Sequence, residues 1–264
     1  MSEELFEQLA RLRVPPSAQP WPSAGISLDL ASALVPGLLD DPWRFLATRG
    51  ARMRVLGGSL PGEERVFCTA DRGPQWFARG HTLYWMTAED GVGELRTALA
   101  ELCPRWGHMQ GHAGIFVSPA AACSAWHFDA LDNVSIQLTG TKRWRLSDSP
   151  RVEYPTGNYG VGEAVPTSLA WCRRELETVA CIEPRADVVL GPGDALFVPA
   201  GCWHEVSNLD EMSISLSFGM TSPSRSDVVV EAVRQLLDHS RYWRAPADRS
   251  PAELCAALRE WLPR

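Results

Sequence analysis

From Gly114 to Phe218 the sequence falls into short β-forming runs, GIFVSP, AWHFDALDNVSIQL, TKRWRLS, DVVL, DALFVPAG and MSISLSFGM, separated by turn clusters. This cadence is that of a jelly roll or related double-sheet barrel. Two of the runs carry a stricter instruction. Asn133, Ser135, Gln137 and Thr139 alternate with Val134, Ile136 and Leu138, and Ser213, Ser215 and Ser217 alternate with Met212, Ile214, Leu216 and Phe218. Side chains two positions apart on a strand share a face, so each run has one apolar face for a core and one polar face. Either polar face alone could be solvated; a serine- and amide-lined face on each of two strands fits a polar barrel interior.

The flanks change period. SEELFEQLARLR carries a helical stripe of Leu5, Leu9 and Leu12, and the prolines between Val14 and Gly25 read as an extended connector. DDPWRFLATRG has Asp, Pro and Gly50 where a short helix starts and stops. ARMRVLGG, ERVFCTA and HTLYWMT read as strands, interrupted before the barrel by an amphipathic helix in GVGELRTALAELCPRWG. After Phe218, SDVVVEAVRQLLDHSRYW and SPAELCAALREWL are helical, the second with Ser250, Pro251 and Glu253 as a capping box. The expected architecture is mainly β, a double-stranded β-helix (jelly-roll or cupin) barrel over 114–219, with helices and flanking strands over 1–113 and a helical extension over 220–264. These form one compact catalytic unit. The helical tail either covers a sheet of its own barrel or joins two chains in a homodimer.

The chain has 264 residues, enough for a full core. No apolar run approaches a membrane span and the acidic start is unlike a signal peptide, so a cytoplasmic protein is expected. Its 7 cysteines contain no C-x-x-C pair, which speaks for reduced thiols rather than a disulfide framework or a zinc knuckle. A net charge of −7 argues against broad binding to a nucleic-acid backbone.

The chemistry concentrates in WHFDALDNVSIQLTGTKRWRL and GPGDALFVPAGCWHEVSN. His127 and Asp129 are two apart and project from one side of a strand, and a second histidine, His204, follows far downstream. Two imidazoles and one carboxylate make the facial triad of non-haem Fe(II) oxygenases, which leaves three coordination positions open. Cys202, two before His204, is a further thiol near this set or a small buried apolar residue. Trp126 and Trp203 precede the histidines and are expected to pack away from the ion. Lys142 follows the TGT turn. It is either a solvated edge lysine or, facing inward, an ammonium that needs a counter-charge such as a bound dicarboxylate.

These residues resemble the JmjC and cupin-type 2-oxoglutarate oxygenases, in particular the branch with the ribosomal oxygenases and the asparaginyl hydroxylase of the hypoxia factor. The resemblance rests on H-F-D, T-G-T-K-R-W-R-L and G-D-A-L-F-V-P-A-G-C-W-H, over about Gly114 to Phe218. It implies Fe(II) on His127, Asp129 and His204. It places Lys142, fifteen residues after the first histidine, on the far carboxylate of 2-oxoglutarate, helped by Ser124 and Asn133. It further implies O2 as co-substrate, succinate and CO2 as co-products, and hydroxylation of a C–H in a peptide or protein side chain. An amino-acid-derived metabolite is the second substrate class. A metal-dependent cupin enzyme that does not use 2-oxoglutarate would keep the triad without needing Lys142. The loop SDSPRVEYPTGNYGVGEAVPTSLAWC, with Tyr154 and Tyr159, reads as a lid or a plain surface loop.

Overall fold

The computed structural model describes Glu4, Glu7, Gln8 and residues 23–57, 66–149, 151–179, 181–210 and 212–261. The stripe of Leu5, Leu9 and Leu12, and the connector up to Pro22, lie outside the described residues. The strands are β1 (Ser23–Gly25), β2 (Arg52–Leu56), β3 (Phe67–Thr69), β4 (Thr82–Trp85), β5 (Gln110–Pro119), β6 (His127–Phe128), β7 (Asp132–Thr139), β8 (Lys142–Ser147), β9 (Tyr159–Gly160), β10 (Ala186–Leu190), β11 (Asp194–Val198), β12 (Trp203–Asn208) and β13 (Met212–Thr221). Eight form one sheet in the order β1-β11-β7-β13-β5-β4-β2-β3, and five form a second in the order β10-β8-β12-β6-β9. All described pairings are antiparallel. Two facing antiparallel sheets with crossing connections make the expected double-stranded β-helix.

The strand patterning fixes which way each sheet faces. Val134, Ile136, Leu138, Ile214, Leu216 and Phe218 are buried in one apolar cluster with Leu34, Leu46, Leu95, Leu99 and Trp106 from the helical segments. The apolar face of the large sheet is therefore its outer face, covered by helices that include Pro42–Thr48 and Gly93–Arg105. Asp41 caps the first of these, its side chain accepting from the Arg44 amide at 2.9 Å, with Pro42 in the first turn. Ser135, Ser213, Ser215 and Ser217 are then left on the inner face, each buried. The polar stripes thus line the barrel interior.

Two features differ from the sequence expectation. AWHFDALDNVSIQL is not one strand: β6 belongs to the small sheet, β7 to the large one, and 129–131 cross between them. The crossing is held by tertiary bonds, the Ala130 amide donating to Asn158 Oδ1 at 2.8 Å and the Gly201 amide to the Asp129 carbonyl at 2.9 Å. Secondly, Ser23–Gly25, at the end of the proline-rich connector, pairs with β11 as an edge strand.

The excursion between β8 and β10 packs a second apolar cluster, Phe128, Tyr159, Leu169, Leu176, Ile182 and Trp203, on the small sheet. Trp203 is fully buried and meets the Phe128 ring edge-on at 4.9 Å. Trp203→Ala is expected to cost about 3–5 kcal/mol, read as a lower unfolding midpoint in urea at unchanged slope.

Residues 223–264 form a separate compact unit. It contains the helices Arg225–Asp238, Arg241–Arg244 and Pro251–Trp261. Ser224 with Asp227, and Ser250 with Glu253, close capping boxes. No described helix is long and apolar enough to cross a membrane.

Candidate functional site

Register builds the centre. His127 on β6 lies directly opposite His204 on β12, so both imidazoles stand on one face, with ring centroids 4.1 Å apart. Asp129, just past the end of β6, turns its carboxylate toward them: His204 Nε2 is 3.7 Å from Asp129 Oδ2. One ligand atom from each of His127, Asp129 and His204 lies within 4.8 Å of the others, a spacing that one divalent ion can bridge. Among the described residues no other group of three His, Cys, Asp or Glu meets that condition.

The imidazoles are oriented by their own backbone. His127 Nδ1 is 2.7 Å from the Ala125 carbonyl and His204 Nδ1 is 3.0 Å from the Cys202 carbonyl, in both cases two residues earlier. A carbonyl only accepts, so each Nδ1 carries the hydrogen and each Nε2 presents its lone pair to the centre. Burial, and then His127, push the His204 pKa down to about 4, against the pull of Asp129. At neutral pH His204 is an uncharged imidazole. Trp144 stacks on it at 5.7 Å.

Lys142, at the start of β8, is 5% exposed and faces inward. Its Nζ donates to Ser215 Oγ at 2.8 Å and lies 5.4 Å from the Phe116 ring. No described carboxylate pairs with it, and burial alone pushes its pKa down to about 7. Two further inner groups are buried without a partner, Gln137 Oε1 and Trp144 Nε1. A buried ammonium beside unsatisfied polar atoms is the signature of a missing ligand. An anionic, elongated molecule reaching from the triad to Lys142 would accept from the ammonium and from the Trp144 indole N–H, and 2-oxoglutarate has that chemistry.

The other sequence candidates take different places. Asn133 lies on the inner face of β7, its Oδ1 accepting from Ser217 Oγ at 2.8 Å. Ser124 Oγ accepts from the Val206 amide at 3.0 Å, which pins the segment before His127 to β12. Cys202 is buried with Leu196, Val198 and Trp144, and it reaches the centre through its carbonyl. Ser215, Tyr84 and His112 were not singled out by spacing. Tyr84 Oη is 3.4 Å from His112 Nε2. Burial, with Asp129 and Glu89 close by, pushes the Tyr84 phenol well above its usual range. The signal for Ser215 was the serine alternation on β13; for Tyr84 and His112 there was none before β4 and β5 were paired.

The turn that delivers His204 is tightly packed. Gly201 has φ +75°, and a Cβ there would sit 1.8 Å from the Val152 carbonyl oxygen. Asp132 Oδ1 accepts from the neighbouring Ala200 amide at 2.8 Å. Gly201→Ala is expected to displace this turn, lowering the thermal midpoint and weakening Co(II) binding about 10- to 100-fold, measured by titration.

Residues 96–228, half of the chain, match the JmjC domain family. Uncharacterized protein YxbC of Bacillus subtilis is 31% identical over 114 residues, 42% of this chain and 34% of that protein. HSPB1-associated protein 1 of Rattus norvegicus is 28% identical over 151 residues, 51% of this chain and 31% of that protein. The chain thus spans about a third of the length of these two relatives. A solved structure of Escherichia coli ycfD superposes with a TM-score of 0.52 at 20% identity, covering 92% of this chain and 63% of that one. Another, titled as the ribosomal oxygenase YcfD in complex with cobalt and 2-oxoglutarate, gives a TM-score of 0.50 at 18% identity over 92% of this chain and 62% of that one. At such identities the likeness is one of fold. With half of its length matched to one domain family and that fold beneath it, the chain belongs to the JmjC domain family.

Proposed function

We propose that this protein is an Fe(II)- and 2-oxoglutarate-dependent oxygenase that hydroxylates a C–H bond of a peptide or protein side chain. The observation that carries the reading is the pairing of an open His127–Asp129–His204 triad with a buried ammonium, Lys142, on the neighbouring strand. The structure titled as a ribosomal oxygenase with cobalt and 2-oxoglutarate supports the choice of co-substrate and of a protein target. In this reading iron and 2-oxoglutarate supply the oxidising chemistry, splitting O2 between succinate and the hydroxylated product, with release of CO2.

The chain's own residues bind and orient. His127, Asp129 and His204 would occupy one face of the ion and leave the opposite face to ligands. Lys142 and Ser215 would hold the far carboxylate, and that contact fixes which way the co-substrate lies. Asn133 sits on the inner wall beside this path, and Ser124 steadies the strand that carries His127. The buried apolar residues around Trp144 and Leu196 keep water from the co-substrate end.

The test is an anaerobic titration of the Fe(II)-loaded protein with 2-oxoglutarate. A saturable visible charge-transfer band is expected, weakened in Lys142→Ala. Iron bound with no band would turn the reading to a metal-dependent cupin enzyme that works without 2-oxoglutarate.

A further inference from the structure

We propose that Lys142 is a modification site: its ε-amine adds CO2 reversibly, and the carbamate so formed takes the place of the co-substrate's far carboxylate. The adduct rests on the surroundings of Lys142; its consequence for turnover rests on the oxygenase reading above. Lys142 is the only lysine of the chain, and every other one of its 25 Lys and Arg residues is arginine. A guanidinium would grip a carboxylate with two parallel bonds, but it stays protonated and cannot add CO2. The one side chain that carries a primary amine is thus inside the barrel.

Uncharged groups surround it. Lys142 lies opposite Leu190 on β10 and Asn208 on β12, and it meets Phe116 of β5 and Ser215 of β13. Ser215 in turn lies opposite Gln137 on β7. None of these side chains is charged. The titratable groups beyond them are Tyr84, stacked on Phe116 with its phenol held protonated by burial, and His204, stacked on Trp144. Burial leaves a large share of the Lys142 amine unprotonated above pH 7, and only that form has the lone pair that attacks CO2. The nitrogen bonds to the carbon, one C=O electron pair moves onto oxygen, and the nitrogen releases one proton to solvent. Nothing is oxidised or reduced.

Orphaned atoms select this adduct. Trp144 Nε1 and Ser213 Oγ can donate, Gln137 Oε1 and Asn208 Oδ1 can accept, and each is buried without a partner. Strand period and register put all four on the inner faces around Lys142, Trp144 being two residues along β8 and Ser213 two before Ser215. A carboxylate serves donors only. A carbamate has oxygens that accept from the indole and the serine hydroxyls, and one N–H that donates to an amide oxygen. It therefore answers both kinds of orphan. In the oxygenase reading each turnover releases CO2. The carbamate removes the positive charge that holds 2-oxoglutarate, so CO2 competes with the co-substrate and restrains turnover where the gas accumulates.

The experiment is carbon-13 NMR on the whole, metal-free chain in labelled bicarbonate buffer. A carbamate resonance that saturates with dissolved CO2 is expected, absent in Lys142→Met, where any signal of the terminal amine remains as a reference. Trp144→Phe keeps a ring but loses the indole N–H, and is expected to need at least about tenfold more CO2 for half-filling. A single cooperative thermal transition certifies each fold. Calorimetric titration of the Co(II)-loaded chain with 2-oxoglutarate reads the competition: affinity about twofold weaker at the CO2 level that half-fills the amine, and no CO2 effect in Lys142→Met. No resonance that depends on Lys142 overturns the site. Equal half-filling in Trp144→Phe and wild type overturns the part given to the indole, and 2-oxoglutarate affinity indifferent to CO2 overturns the competition. Failure of the wild-type protein to bind 2-oxoglutarate in CO2-free buffer would instead sink the oxygenase reading, with the NMR result standing by itself.

Discussion

Asp129→Ala is expected to weaken divalent metal binding by at least about a thousandfold, beyond the 10- to 100-fold that outer partners of a metal ligand usually carry. Three groups converge, and each offers one ligand atom. Removing the carboxylate leaves two imidazoles as the remaining donors. The remaining pair cannot hold the facial geometry that leaves three positions open. Co(II) titration monitored by its visible spectrum measures the loss, and turnover should fall with it. Co(II) affinity within tenfold of wild type would exclude Asp129 as a ligand.

Lys142→Met has the second-largest effect, and its two consequences point in opposite directions. Loss of the charge-assisted contact is expected to weaken 2-oxoglutarate binding by about 10- to 150-fold, corresponding to about 1.5–3 kcal/mol. The ligand-free protein should at the same time become more stable. The Lys142 pKa is lowered in the folded state to about 7 from 10.5 in the open chain, so between those values the folded state binds fewer protons than the unfolded one. Its contribution to stability therefore rises with pH across that window, and the penalty is fully present below pH 7. Methionine of similar length removes the penalty, and a gain of about 1–3 kcal/mol is expected at pH 7 and below, shrinking toward pH 10. Melting curves at pH 6.5 and 9.5 read it directly. A ligand-free variant less stable than wild type at pH 6.5 would mean that the ammonium already has its counter-charge. A bound carboxylate should raise the Lys142 pKa, so wild-type affinity for 2-oxoglutarate should fall as pH climbs above 7.

Much of the centre was legible because covalent spacing fixed it. The two-residue spacing of His127 and Asp129 brought them to notice, although Asp129 lies past the end of β6 and is held by the Gly201 amide, and His204 follows the turn at the end of GDALFVPAG. The inner and outer faces of β7 and β13 followed from alternation alone. Beyond this, local pattern failed where tertiary bonds decide. Ala130 and Leu131 look like strand residues, and what breaks the strand there is Asn158, 28 positions away, taking the Ala130 amide. His127 and the Asn133–Thr139 run therefore stand in two different sheets, and Asn133 reaches the interior as part of the opposite wall. Ser215 contacts Lys142 across 73 positions of sequence, and Tyr84 meets His112 across 28. Such pairings exist only once the strand order is known. β1 was hidden by the prolines before it, which announce a connector but do not forbid a three-residue edge strand.

β6 is two residues long and stands between β12 and β9, so its backbone bonds alone make a thin seam. An ion shared by His127 and His204 would cross that seam as a rivet. In its absence the amides of 127–128 and 159–160 should exchange with solvent faster than those of β7 or β13, and the excursion anchored through β9 should become the first place a protease cuts. Iron supply would then govern the lifetime of the folded chain as well as its chemistry, with starvation for the metal read out as clearance of the protein.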